Sequence, residues 1–552
     1  MILCSTARDG IDDATERTMP RRLLWAAALL LCAGLVGYLA ARPGDPPPAH
    51  GSVLNRGNVA EPDTLDPPQY GLTVELEIMD DLFLGLTTPD MHGNVVPGAA
   101  ENWDVSADGR TYTFHLRDGL RWSDGSPLTA MDFVAGIRRM LDPATHSQFA
   151  NFAYKIHNGK LVNEGKLPPE DAGVFAPNDR TLVITLDRPT PILILLTALP
   201  LFDPLPRAAY ARYGKDWIKP GKMVSDGAFT LAEWVPQGHV RLKKNPYFYD
   251  ARNVHLDEVD FFPTDNDEAA LKRFRARELD LNLRFPPTMY QWLQRNLPGE
   301  ALIAPNLALT YLTFNLKDPA VGDLRVRRAL SLAIDRERLT KEILRTGEVP
   351  AYGLIPPAIA GYDGARIEGA GVPYEARLAR ARALLMQAGY DAAHPLALTY
   401  NCRLGELNRR VAVAIQAMWA DVGVRADIVT EEVAMHYNRL RTRDFQVADA
   451  GWQAPPDPEY YLYLLESEST EANYADYSDP AFDKLVYDTQ AVMDRTQRFA
   501  AFARAEKIAL DALPIVPLFF PVNRALVQPY VKGYAENALD THPSRYIRLL
   551  PH

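Results

Sequence analysis

The residues in this chain that could do chemistry are acids and aromatics, and both gather in the stretch DAGWQAPPDPEYYLYLL, Asp449 to Leu465. General acid–base catalysis needs a buried carboxylate with a partner at a fixed distance. The Asp residues instead recur where turns and caps want them, as in SDGS, NPYFYD and YSDPAFD. No GxSxG elbow offers a serine nucleophile. The eleven histidines are scattered, no two closer than His542 and His552. No HExxH, CxxC or GxxxxGK[ST] occurs, so zinc-protease, thiol-redox and phosphate-loop chemistry lose their usual support. No cofactor and no metal is expected. Binding chemistry remains. Trp452 follows Gly451 in a loop closed by Pro455, Pro456 and Pro458. Its ring offers a broad apolar face with little entropy to lose, which suits a ligand wall, and equally a core anchor under a turn.

Mixed elements must position such a loop. In RTYTFHLRDGLRW the residues Tyr112, Phe114 and Leu116 alternate with polar ones, as a half-buried strand requires. Thr129 then N-caps a helix with Phe133, Ile137 and Met140 on its apolar face. GAFTLAEWVPQGHVRLKKN reads as a hairpin, with Phe229 and Leu231 in one strand and Val240 and Leu242 in the next. Helices are more frequent further on. Val326, Ala329, Leu330, Ala333 and Ile334 recur at helical spacing, and YEARLARARALLMQAGY ends at Gly389, a C′ glycine. A helix through QRFAAFARAEKIALDA leads into the buried strand PIVPLFF.

The chain has 552 residues, enough for two or three domains. Net charge is -11 with no basic stripe, so nucleic acid is not an expected partner. Cys4 and Cys32 fall in the N-terminal segment, leaving Cys402 alone and no internal disulfide in the folded part. Arg21 and Arg22 precede nineteen uncharged residues, Leu23 to Ala41, and a Pro-rich linker follows. That order is either a secretory signal or, since a bilayer needs about 20 apolar residues, an uncleaved inner-membrane anchor. Both imply that the remainder is exported.

Five segments in order carry a resemblance. They are VPGAAENWDVSADGRTYTFHLRDGLRWSDGSPLTAMDF, SDGAFTLAEWVPQGHVRLKKNPYFYD, LTFNLKDPAVGDLRVRRALSLAIDRERL, the Asp449 segment through YSDPAFD, and LPIVPLFFPVNRALVQPYVKGY. Together they resemble the periplasmic oligopeptide- and dipeptide-binding proteins of ABC importers, solute-binding family 5, over residues 52–552. The resemblance implies an α/β, two-lobed periplasmic-binding-protein fold of class II type with an additional inserted domain. Residues 52–86, 194–306 and 522–552 would form lobe I, 87–193 the insert and 307–521 lobe III, after a signal or anchor plus linker over 1–51. It implies a monomer without enzymatic activity. Closure about a two-strand hinge would capture a peptide or peptide-like ligand for delivery to ABC importer permease subunits.

The resemblance also implies site residues. Gly451 and Trp452 match the family's Gly-Trp, Phe149 its chamber aromatic, and Phe519 or Phe520 a further wall. The position of the acid that meets the peptide's ammonium is Pro455, which leaves Asp449 or Asp457 as replacements. Asp457, before Pro458, can equally be a plain helix cap. The carboxylate-end positions fall near Asn408 and beside Arg345. Ala308 and Gln453 stand at the ends of the family's optional disulfide. Other readings are the same fold around an amine-blocked or modified peptide or another solute, a membrane-anchored sensor or chaperone, and an exported hydrolase.

Overall fold

A computed structural model describes residues 52–71 and 73–552. The Leu23–Ala41 segment, read as signal or anchor, lies outside the described residues. No helix among the described residues is long and apolar enough to cross a membrane.

The chain enters through β1 (Val53–Gly57) and α1 (Thr73–Leu82). It then builds a four-stranded antiparallel sheet from β2 (Ala100–Val105), β3 (Thr111–Leu116), β4 (Val174–Asn178) and β5 (Thr181–Thr185), ordered β2-β3-β5-β4. Tyr112, Phe114 and Leu116 are buried on one face of β3, as the alternation predicts. α2 (Ala130–Leu141) packs against this sheet. Thr129 caps it, its amide donating to Asp132 Oδ2 at 2.8 Å, and Phe133, Ile137 and Met140 face inward.

Next come β6 (Phe229–Val235), β7 (His239–Lys244), β8 (Glu258–Phe262), β9 (Leu281–Asn282) and β10 (Ala301–Pro305). β6 and β7 are the expected hairpin, with Leu231 opposite Leu242. With β1, and with β17 (Val522–Val527) returning from the chain's end, they form a seven-stranded sheet ordered β10-β17-β9-β1-β8-β7-β6.

Between β10 and β17 the chain builds a second lobe. In order come β11 (Ala308–Phe314), α3 (Leu324–Ala333), β12 (Val349–Pro350), α4 (Tyr374–Gln387), β13 (Ala397–Arg403), α5 (Glu406–Ala420), β14 (Arg425–Glu431), α6 (Val433–Thr442), β15 (Val447–Gln453), α7 (Pro458–Leu462), α8 (Arg495–Ala512) and β16 (Ile515–Phe520). The six strands run β12-β16-β11-β15-β13-β14. Gly389, at φ +94°, follows α4 as its C′ residue, where a side chain would be strained.

Two strand pairs cross between the large sheets. β10 continues into β11 through Asn306 and Leu307, and β16 into β17 through Pro521 alone. The crossings touch, since Asn306 N donates to Pro521 O at 3.2 Å. The hydrophobic cores do not merge there. One buried cluster lies wholly within Leu307–Phe520; on the other side a large one draws on Leu54 to Leu283 and Ala525 to Ile547, and a small one on Leu271, Phe274, Phe285, Leu293, Ala301 and Leu526. Separate cores joined by two short strand crossings make a body that can bend at the crossings without breaking any core.

Candidate functional site

β13, β14 and β15 run parallel, so their carboxyl ends open on one side of the second lobe. In open α/β sheets, ligand crevices lie outside such ends. β15 ends in Gly451, Trp452 and Gln453, opposite Thr310, Leu309 and Ala308 of β11. Trp452 is half-buried. Its Nε1 donates to the Tyr460 carbonyl at 2.9 Å, and the Tyr463 ring lies 6.3 Å away. The indole is therefore fixed by the turn that the prolines shape. Beyond the neighbouring strand ends stand Leu404, 62% exposed, and Val433, 45% exposed.

Asp449 lies buried two residues before Gly451. Its carboxylate accepts the Arg403 backbone N–H at 2.9 Å and Arg403 Nε at 2.8 Å. His436 Nε2 stands 2.7 Å from the Asp449 carbonyl and 3.6 Å from Oδ1. Arg403 Nη1 donates to the Tyr437 hydroxyl at 3.2 Å, and the same hydroxyl accepts Gly451 N at 3.3 Å. Burial opposes the Arg403 charge, but Asp449 and Tyr437 outweigh it and lift its pKa above the usual arginine value.

Asp457 is the N-cap of α7, its Oδ1 accepting Glu459 N at 3.0 Å. Both its oxygens also hold Arg498, at 2.5 and 2.8 Å, and Arg498 Nη2 reaches Glu459 at 2.9 Å. Lys155 pairs with the other Glu459 oxygen. Burial pushes the Asp457 carboxyl up, and Arg498 holds it down in part.

The Phe149 ring lies tilted at 5.3 Å from Tyr70 and at 6.1 Å from Phe152, whose ring meets Tyr460 at 5.6 Å. An aromatic file thus runs from the first lobe, through the insert, to Tyr460, whose carbonyl accepts the Trp452 indole N–H. The Arg188 guanidinium lies 3.8 Å from the centre of the Tyr487 ring, a further contact between insert and second lobe beside Lys155–Glu459 and Phe152–Tyr460. At the crossings, Arg524 of β17 pairs with Glu348 at 2.6 Å. Beside them opens a cavity of ≈ 520 Å³, bordered by Asn58, Phe285, Asn306, Gln453, Asn523 and Arg524 among others.

Several expected site residues stand elsewhere than a ligand wall requires. Phe519 and Phe520, 8% and 6% exposed, belong to the core of the second lobe, because β16 is covered on both faces. Asp457 is consumed by the α7 cap and Arg498, and Asp449 by Arg403, so neither carboxylate is left to receive an ammonium. Arg345 sits at φ +62° and donates to Gln291 of the first lobe at 3.0 Å. Asn408 bonds back to the Leu404 carbonyl at 3.4 Å, within its own helix start. Arg403, Tyr437, Phe152 and Tyr460 are the site neighbours that sequence reasoning missed. A charged last residue on the buried strand ALTYNCR was the available signal for Arg403.

Comparison with known proteins agrees with the two-lobed α/β fold. Residues 94–473 match the model of the bacterial extracellular solute-binding proteins, family 5. The chain is 36% identical to the probable deoxycholate-binding periplasmic protein YgiS of Escherichia coli K12, covering 93% of this chain and 96% of that one. It is 35% identical to the periplasmic oligopeptide-binding protein OppA of the same strain, covering 96% and 99%. Among solved structures it superposes with a TM-score of 0.82 on the unliganded open form of the periplasmic murein tripeptide-binding protein MppA, at 35% identity over 91% of this chain and 98% of that one. The chain belongs to the bacterial extracellular solute-binding proteins of family 5.

Proposed function

We propose that this protein captures peptides in the periplasm by hinge closure and hands them to the permease of an ABC importer. The observation that carries the reading is the pair of strand crossings at Asn306–Leu307 and Pro521 between separate cores, next to a cavity of ≈ 520 Å³ that first-lobe residues and Gln453 border. Closure there converts binding energy into a change of shape that a permease can read. The names of OppA and MppA, as oligopeptide- and murein-tripeptide-binding proteins, support a peptide. Trp452 and Phe149 supply walls, and Gly451 offers its backbone to an extended ligand. Residues 52–86, 194–306 and 522–552 act as one lobe, 87–193 as the insert and 307–521 as the other lobe; a separate core within Leu307–Phe520 supports the bounds of the last. The protein acts as a monomer, and Leu23–Ala41 directs its export or tethers it to the inner membrane.

The test is a thermal shift with a mixed pool of tri- to pentapeptides. A ligand that binds only the folded state raises the melting temperature with concentration. No rise at millimolar peptide contradicts the reading.

A further inference from the structure

A buried histidine on α6 supports the Gly451 end of β15. The parallel pairing of β13 with β15 stops at Asn401 and Ala448, so the backbone groups beyond it need other partners. Two successive side chains of α6 supply them. His436 Nε2 stands 2.7 Å from the Asp449 carbonyl, and the Tyr437 hydroxyl accepts Gly451 N at 3.3 Å. The two rings meet edge-on, their centres 5.7 Å apart.

A carbonyl only accepts, so Nε2 must carry a hydrogen. Nδ1 then stands 3.4 Å from Glu431 Oε2, and neither atom has a hydrogen-bond partner among the described residues. Both side chains are buried, at 0% and 5% exposure. With a neutral ring and an ionised acid, two lone pairs would be buried side by side, both unsatisfied. One proton on Nδ1 turns that repulsion into an ion pair. The neighbours favour the ring over the acid as its holder. Arg439 Nε donates to Glu431 Oε1 at 2.6 Å, which keeps this carboxylate charged. Asp449 Oδ1, 3.6 Å from Nε2, adds a second negative charge. The two nearby cations are each bound to one of these acids, Arg403 to Asp449 and Arg439 to Glu431 and Asp444. Burial pushes up the other titratable groups near the acids, Tyr311, Tyr400 and Cys402, so they stay neutral.

We propose that His436 is held as an imidazolium between Glu431 and Asp449, and that this buried proton pins the Gly451 end of β15, so that its release loosens the strand and weakens ligand capture. The link to capture rests on the peptide reading above; the proton and its hold on the strand do not. His436 is a positioning residue, since it reaches the cleft only through Asp449 and Gly451. A histidine suits the task because both of its charge states are reachable at ordinary pH. Without the proton, Nδ1 and Glu431 Oε2 repel each other, and the ring can relieve that only by shifting away from the Asp449 carbonyl.

The experiment is nuclear magnetic resonance of the full chain carrying nitrogen-labelled histidine, with His436→Gln to assign the signal. At about pH 6.5 both ring nitrogens of His436 are expected to carry hydrogen. Glu431→Gln sets an amide donor against Nδ1 and keeps an acceptor for Arg439, and is expected to leave hydrogen on Nε2 alone. Amide exchange of residues 449–453, corrected for its intrinsic pH dependence, reads the strand. Calorimetry with a mixed pool of tri- to pentapeptides reads capture. From about pH 6.5 to about pH 9 the wild type is expected to lose the Nδ1 hydrogen, to exchange faster over 449–453, and to bind about tenfold or more weakly relative to Glu431→Gln, as for a lost hydrogen bond to a charged group. The comparison cancels any titration of the peptides, which both proteins share. A wild-type ring with hydrogen on Nε2 alone at about pH 6.5 overturns the proposal. So does an exchange or affinity profile that Glu431→Gln reproduces. An imidazolium whose loss speeds exchange, with no peptide bound at any pH, upholds the hold on the strand and overturns the peptide reading. No peptide bound and no change in exchange overturn both.

Discussion

Truncating Arg498 to methionine tests whether the Trp452 turn stands on buried charge. Arg498 has a side chain 3% exposed and holds Asp457 through both guanidinium nitrogens and Glu459 through one. Methionine fills most of the volume but leaves two buried carboxylates with only Lys155 between them. Removing one partner of a buried pair costs about 3–5 kcal/mol, because the remaining charge is uncompensated. Two acids on one arginine place the expected loss at the upper end of that range. The loss should also depend on pH. Without Arg498, the Asp457 carboxyl, already raised by burial, rises further. Its folded pKa then exceeds the unfolded value, so stability is retained in acid and lost as pH rises through the folded pKa. Urea unfolding followed by tryptophan fluorescence at pH 5 and pH 8 reads both effects. Arg498→Met/Asp457→Asn should recover about half of the loss. A loss below about 1 kcal/mol, equal at both pH values, would refute the reasoning.

Three further outcomes follow from the same geometry. Glu506 is buried and pushed up to about 7 by that burial, against hydrogen bonds from Leu354 N, Tyr362 and Ala365 N. Its folded state holds the proton more tightly than the unfolded chain, so its contribution is fully present below pH about 4.5 and lost as pH rises through about 7; Glu506→Gln should flatten that slope by about 3 kcal/mol in urea titrations. Trp452→Ala should weaken the tightest-binding peptide about tenfold or more by calorimetry while leaving the second lobe folded. Ala308 and Gln453 are directly opposed across β11 and β15, at a separation that antiparallel partners share with disulfides, so Ala308→Cys/Gln453→Cys should cross-link on oxidation, read by thiol titration, and stabilise by about 2–4 kcal/mol.

Local patterns carried much of the fold. The β3 alternation, the Thr129 cap, the β6–β7 hairpin and Gly389 each depend on residues within a few positions, and each forms as read. Of the proposed ligand cleft, only the part that one segment carries, at Gly451 and Trp452, was legible. The charges were not, because their meaning lies in partners far along the chain. Asp457 meets Arg498 across 41 residues, and Asp449 meets Arg403 across 46. From sequence, Asp449 was a free acid beside Trp452, whereas the fold makes it the support of a cation. Phe519 and Phe520 show the converse limit. An aromatic on a strand has two faces, and only the neighbouring strands decide whether either meets solvent.

Native mass spectrometry of the protein purified from cells tests the central claim most directly. The account predicts a discrete set of adducts with the masses of small peptides, retained by the wild type and depleted in the Trp452→Ala variant. Bare protein alone, with no adduct formed when carboxylate-bearing peptides are added back at millimolar concentration, would contradict it.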